Sequence, residues 1–116
     1  MVSRELIVMI VQDYGLRSLL IGRLSLDGEI LVTLNRDPLD PQVARVAAPD
    51  SVLIIDVESL GDRLEALLAE DRWSRIIILS EQVEETGSDR SCMIDPRGGY
   101  TAVCAELARW RGGRAS

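Results

Sequence analysis

Apolar blocks alternate with amphipathic and polar blocks along the chain, and this pattern predicts its strands. Five short blocks are apolar almost throughout, and most are rich in isoleucine and valine: residues 5–11, 30–34, 52–56, 76–79 and 91–94. A strand with one solvent-exposed face would alternate apolar and polar residues, so continuous apolar runs indicate strands covered on both faces. The sequence therefore predicts five buried strands.

Leucines at helical spacing follow the first strand and predict a helix that ends at Asp27-Gly28, because glycine commonly ends a helix. These leucines are Leu16, Leu19, Leu20 and Leu24. A short second helix is predicted after Asp40, which can cap its first turn, with Pro41 at the first helical position. Both helices lie between predicted strands.

Two more helices complete the pattern, one predicted from Leu60 to about Arg72 and one carrying Tyr100, Val103, Leu107 and Trp110. Between the last two strands, residues 81–90 are polar and only weakly periodic, so the fourth helix should be short or absent. Strands that alternate with helices predict an α/β fold with a parallel sheet covered on both sides. We expect a three-layer, doubly wound, flavodoxin-like arrangement of five strands.

Length and charge narrow the class of protein. The 116 residues suit one domain, expected over residues 1–111, with a flexible C-terminal end at 112–116. The net charge is −6 and there is no lysine, which disfavours direct binding to nucleic acid. The N-terminal apolar run stops at Asp13, too short to span a bilayer, so we expect a cytoplasmic protein without membrane contact.

Several enzyme classes are disfavoured by the residues that the chain lacks. Without histidine there is no histidine-based triad or metal site, and Cys92 and Cys104 form no metal-binding or disulfide pattern. No glycine-rich phosphate loop follows the first strand, which disfavours a nucleotide- or flavin-binding protein. We therefore expect a protein that is not an independent enzyme.

Polar residues stand where the predicted strands end: Gln12-Asp13, Asp56, Ser80 and Asp95. The carboxyl ends of parallel strands meet at one edge of a sheet, so Asp13 and Asp56 should lie close together if the first and third strands are neighbours. Two close carboxylates favour a divalent cation such as Mg²⁺. The simpler alternative is that these residues only begin turns or cap helices.

This order of motifs resembles the receiver domain of two-component response regulators over nearly the whole chain. The matching segments are VQD (11–13), LIID (53–56), IIILS (76–80) and MIDP (93–96). The resemblance implies that Asp56 accepts a phosphoryl group and that Ser80 senses it. It also implies that Mg²⁺ is bound by Asp13, Asp56 and the backbone carbonyl of Glu58, with Gln12 as a weak further ligand.

Three departures from the family pattern bear on phosphorylation. Gln12 replaces the first acid, so the affinity for Mg²⁺ should be weak, and Cys92 replaces the aromatic switch residue. Asp95 stands where a lysine is expected and would repel a phosphoryl group. Arg97 is near, but strand alternation predicts that it points away from the site.

Two functional hypotheses follow from the resemblance. In the first, the chain is a regulatory, receiver-like domain that acts mainly by protein–protein interaction, with impaired or absent aspartyl phosphorylation. In the second, a histidine kinase phosphorylates Asp56 in the presence of Mg²⁺. Both imply a protein partner, either a kinase or an output protein, and the last helix with Tyr100 and Trp110 offers a surface for a homodimer.

Overall fold

A parallel sheet of five strands forms the centre of the molecule in the residues that the structure, a computed structural model, describes: 5–47 and 49–115. The strands are β1 (Leu6–Ile10), β2 (Ile30–Thr33), β3 (Ser51–Asp56), β4 (Trp73–Leu79) and β5 (Ser91–Ile94). They lie in the order β2-β1-β3-β4-β5, and every neighbouring pair is parallel. The predicted flavodoxin-like α/β fold is confirmed.

Five α-helices flank the sheet in the described residues, and the side chains of aspartates cap the first three of them. The helices are α1 (Tyr14–Leu26), α2 (Pro41–Val46), α3 (Val57–Leu60), α4 (Leu64–Leu68) and α5 (Gly99–Ala115). Asp13 accepts a hydrogen bond from the Leu16 amide at 2.9 Å, and Asp40 accepts one from the Gln42 amide at 2.8 Å. Each carboxylate thus binds an amide that the first helical turn leaves without a partner.

The prediction of one helix from Leu60 to about Arg72 is wrong. Gly61 ends α3 with a φ of 57°, in the left-handed region that glycine adopts at little cost, and α4 begins only at Leu64. The strand that follows is also longer than predicted, because β4 begins at Trp73, whose side chain is fully buried. The leucine spacing continued across a break that the glycine imposes.

Helices cover both faces of the sheet and create two hydrophobic cores. In the first core, Leu20 and Leu24 of α1 and Val103 and Leu107 of α5 pack against one face. In the second core, side chains of α2, α3 and α4 pack against the other face: Val43, Leu60 and Leu67. The central strands are therefore shielded on both sides, as their continuous apolar runs predict.

No helix connects β4 to β5 in the described part of the chain, as predicted, and hydrogen bonds hold residues 80–90 instead. Arg75 donates to the carbonyl of Asp89 at 2.6 Å, and Arg90 donates to the carbonyl of Trp73 at 3.0 Å. The Thr86 hydroxyl donates to the carbonyl of Ser91 at 3.0 Å. These contacts tie the second half of the connection to the sheet.

The two ends of the chain lie partly outside the described residues. Helix α5 extends to Ala115, whereas residues 1–4, 48 and 116 lie outside the described residues. The flexible end at 112–116 falls partly among those residues and stays a prediction. None of the described helices combines the length and the apolar character that a bilayer crossing requires.

A buried ionic cluster joins β4 to α5. Glu106 is 6% exposed, and its carboxylate forms ion pairs with two arginines. One is Arg75, and the other is Arg109, whose Nη2 lies 2.5 Å from Oε2 of Glu106. Burial would raise the pKa of Glu106, but hydrogen bonds from Arg109 and Arg75 outweigh it and hold the pKa below its ordinary value. The cluster therefore stabilises the fold only while Glu106 is ionised.

We predict that Glu106→Ala destabilises the protein by about 3 kcal/mol, because it leaves the Arg75 guanidinium buried without its carboxylate. The stabilisation by Glu106 is present above its ordinary pKa of 4.5 and is lost as the pH falls through the lower folded value. Urea unfolding at several pH values checks both statements. Glu65→Gln, at an exposed site, is the control and should change neither the stability nor its dependence on pH.

Candidate functional site

The carboxyl ends of β1, β3 and β4 border a cavity of about 680 Å³. β1 pairs with β3 in parallel, with Ile10 beside Ile55, so the residues that follow these strands reach the same edge. The predicted residues Gln12, Asp13, Asp56, Glu58 and Ser80 all line this cavity. The structure thus brings together the two acids and the hydroxyl that the sequence analysis selected, whereas Asp95 is not part of the lining.

Asp56 lies half-buried at the end of β3, and backbone amides bind both of its oxygens. Oδ2 accepts from the amide of Gln12 at 2.8 Å, and Oδ1 accepts from the amide of Ser59 at 3.0 Å. The first bond ties β3 to the end of β1, and the second caps α3. This explains on structural grounds alone why a buried strand ends in a carboxylate.

Asp13 is exposed and caps α1 through Oδ1, so it too has a local structural role. Carboxylate and carbonyl oxygens are ligands that Mg²⁺ accepts, and Asp13, Asp56 and the carbonyl of Glu58 are the residues that would supply them. Among the described residues, however, no group of three or more acidic, cysteine or histidine side chains is arranged to hold a metal. The Mg²⁺ site stays a prediction.

Ser80 is 7% exposed, and its hydroxyl is engaged within its own turn. The hydroxyl donates to the carbonyl of Gln82 and accepts from the amide of the same residue, both at 3.1 Å. To bind a phosphoryl group, the hydroxyl would have to give up its donor bond to Gln82. Ser80 therefore lines the cavity, but its hydroxyl is hydrogen-bonded within the loop.

Arg97 turns back to pair with Asp95, and neither of the two residues lines the cavity. Its guanidinium contacts both carboxylate oxygens, with Nη2 2.6 Å from Oδ2 and Nε 3.1 Å from Oδ1. These hydrogen bonds lower the pKa of Asp95. The reason is a 3₁₀ turn at Pro96–Gly98, which ends the strand geometry and returns residue 97 to the carboxylate that caps it.

Among the described residues, every charged side chain that lines the cavity is acidic. Its lining contains four carboxylates and no basic side chain: Asp13, Asp56, Glu58 and Glu81. The chain has no lysine that could approach it. A neighbouring cavity of about 360 Å³ contains Arg36 and Arg63, but these pair with Asp40 at 3.7 Å and Asp37 at 2.5 Å. A phosphoryl group on Asp56 would therefore meet mainly like charge.

Cys92, at the position where the receiver resemblance would place an aromatic switch residue, lies half-buried on β5. Burial and the nearby carboxylate of Glu106 raise the pKa of the Cys92 thiol to about 11. The thiol is therefore neutral at physiological pH and behaves as a small packing group. It provides no aromatic ring that could turn in response to Ser80.

Comparisons of the chain with protein-family models, with curated proteins and with solved structures find no match. The resemblance to receiver domains therefore depends on the motifs and their order along the chain.

We predict that Asp56→Ala destabilises the protein by about 1 to 2 kcal/mol, because two backbone amides lose their acceptor. Asp56→Asn should cost clearly less, since its carbonyl oxygen can still cap α3. Urea denaturation followed by circular dichroism measures both variants. Equal stability of the alanine variant and the native protein would show that Asp56 has no structural role.

Proposed function

We propose that this chain is a receiver-like regulatory domain that acts mainly through protein–protein interaction, with impaired or absent phosphorylation of Asp56. The observation that supports this proposal best is the charge of the cavity around Asp56: four carboxylates and no basic side chain. The receiver resemblance supplies the function class, and the charge indicates that the phosphorylation chemistry has been weakened. A cytoplasmic location is part of the proposal.

The chemistry explains why the missing cation matters. In phosphorylation, a carboxylate oxygen of Asp56 would attack the phosphorus of a phosphohistidine and the P–N bond would break, leaving an acyl phosphate. Proteins catalyse such transfer mainly by positioning the groups and by compensating the charge on the phosphoryl oxygens. Arg97, which lies two residues after Asp95, pairs with that carboxylate, and Arg17 donates to the backbone carbonyl of Val11. Both guanidinium groups are thus engaged in contacts within the protein.

The alternative is a phospho-accepting receiver that uses Mg²⁺ and a histidine kinase. One observation favours it: Asp13, Asp56 and Ser80 line the same cavity, in the arrangement that the resemblance implies. A divalent cation bound by the two carboxylates would offset part of the negative charge. This alternative differs from the main proposal in the extent of modification, which can be measured directly.

We propose a kinase or an output protein as the partner, and a second copy of the chain as a partner of α5. Tyr100 and Trp110 pack against the first core, so they are poor anchors for a dimer. The exposed residues of α5 include Thr101, Ala105 and Ala108, which would allow another helix to approach. The dimer surface is therefore assigned to these small residues.

We predict that a small phosphodonor with Mg²⁺ leaves most of the protein unmodified, because the cavity repels the phosphoryl group. Intact-mass spectrometry measures the modified fraction, with Asp56→Asn as the control for the site of addition. Near-complete modification that Asp56→Asn abolishes would contradict impaired phosphorylation and favour the alternative.

We predict that Asp95→Lys increases the modified fraction in the same measurement, because it replaces a carboxylate with an ammonium group. If it does not, Gln12 or the missing fourth helix is the dominant defect.

We predict that the protein dimerises in sedimentation equilibrium and that Ala105→Glu shifts it to the monomer, because the added charge would be buried between two helices. Ala66→Glu is the matched control, since Ala66 is an exposed alanine on α4, outside the proposed surface. A native protein that stays monomeric at all concentrations, or equal dissociation by both variants, would rule out the α5 dimer.

A further inference from the structure

Strand β5 forms one edge of the sheet, and its backbone groups alternate between β4 and the outside. Ile76 donates to the carbonyl of Arg90 at 2.7 Å, and Ser80 donates to the carbonyl of Ile94 at 2.9 Å. Residues 90 and 94 therefore direct their carbonyls towards β4. Because successive residues of a strand alternate in direction, the backbone groups of Ser91 and Met93 face outward.

The connection from β4 already occupies one of these two positions. The amide of Ser91 donates to the carbonyl of Ser88 at 3.4 Å, and its carbonyl accepts from the Thr86 hydroxyl at 3.0 Å. No such contact reaches the outward amide and carbonyl of Met93 within the part of the chain that the structure describes. The edge is thus covered at its start and open at Met93.

A groove of about 370 Å³ runs between this edge and the connection. Met93 and Cys92 contribute to its lining, together with Glu84, Glu85 and Asp89, and no basic side chain lines it. Val83, on the same connection, is 55% exposed. The groove therefore offers a partner three features: a strand edge with open hydrogen-bonding groups, apolar contacts, and a surplus of negative charge.

The groove is already organised before any partner binds. Arg75 and Arg90 hold the second half of the connection through backbone carbonyls, and their guanidinium groups point inward to these contacts. These two guanidinium groups are thus used to fix the loop, and neither belongs to the lining of the groove. Binding would cost little ordering of the chain, which favours affinity.

The negative charge disfavours a symmetric contact between two copies at this edge. Such a contact would bring Glu84 and Glu85 of one copy towards the same residues of the other, and like charges repel. A partner with positive charge would be attracted. An added strand would also gain main-chain hydrogen bonds at Met93.

We infer that the open edge of β5 binds an extended, basic segment of a partner protein, which adds a strand to the sheet beside Met93 while its cationic side chains face Glu84 and Glu85. This inference rests on the proposed function and specifies the chemistry of the partner. It is tested by peptide binding, whereas the phosphorylation defect is tested by mass spectrometry, so either can fail without the other.

The probe is a fluorescein-labelled peptide of about ten residues in which lysine alternates with valine, a pattern that favours an extended strand. Fluorescence anisotropy with the full chain should show saturable binding that weakens strongly when salt is raised from about 50 to about 500 mM. The same peptide with glutamate in place of lysine should not bind. Hydrogen exchange should slow at the Met93 amide in the complex.

Two changes locate the contact. Glu84→Lys/Glu85→Lys should weaken binding on the order of tenfold or more, as expected for two reversed ion pairs. Asp62→Lys/Asp71→Lys, which changes the net charge equally at exposed sites away from the groove, should have little effect. A peptide N-methylated only at its valines and one N-methylated only at its lysines should bind with different affinities, because only one set of peptide amides can face β5.

The inference is overturned if the lysine–valine peptide does not bind, if both charge variants weaken binding equally, or if the two N-methylated peptides behave alike. Binding that is lost with Glu84→Lys/Glu85→Lys and with only one N-methylated set supports it. A dimer of the native chain that the peptide dissociates would assign the edge to a second copy instead, and would also overturn the inference.

Discussion

The parallel pairing of β1 with β3 is the constraint on which the rest of the site depends. The paired residues of these two strands, from Ile7 beside Val52 to Ile10 beside Ile55, are almost completely buried, so the pairing is maintained by burial on both faces. Once the two strands run side by side, the residues that follow them must emerge at one edge. The acids of that edge are brought together because the apolar strands behind them cannot move apart.

Local hydrogen bonds stabilise the edge of the sheet at which these acids lie. Asp13, Asp56 and Asp95 each accept a backbone amide at the start of a helical turn, and Ser80 closes its own turn. These bonds satisfy amides that would otherwise be left without a partner. These residues, to which the receiver resemblance would assign phosphoryl transfer, therefore contribute to the stability of the fold.

Much of the fold could be predicted from the sequence, because buried strands require continuous runs of apolar residues. Continuous apolar runs identified all five strands, and Asp40-Pro41 located the start of α2. The break at Gly61 was missed because the leucine spacing continues across it, and Arg75 was missed as part of β4 because a charged residue resembles a strand boundary. Its burial becomes understandable only with Glu106, which is 31 residues away in the sequence.

At the site, the sequence located the residues but not their bonds. Strand ends predicted that Asp13, Asp56 and Ser80 share one edge, since this follows from parallel topology. The pairing of Arg97 with Asp95 was not predicted, and it forms in a 3₁₀ turn that the sequence analysis did not foresee. The open edge beside Met93 also had no signal in the sequence, because it depends on which backbone groups the connecting loop reaches.

The two tryptophans lie on opposite faces of the sheet: Trp73 belongs to the second core, and Trp110 packs against the first. Each of the two cores therefore has its own intrinsic fluorophore. Trp73 is fully shielded from solvent, whereas Trp110 is only partly so, and their emission spectra should be separable. Replacing one indole at a time would allow the loss of packing in each core to be followed separately, without any external dye.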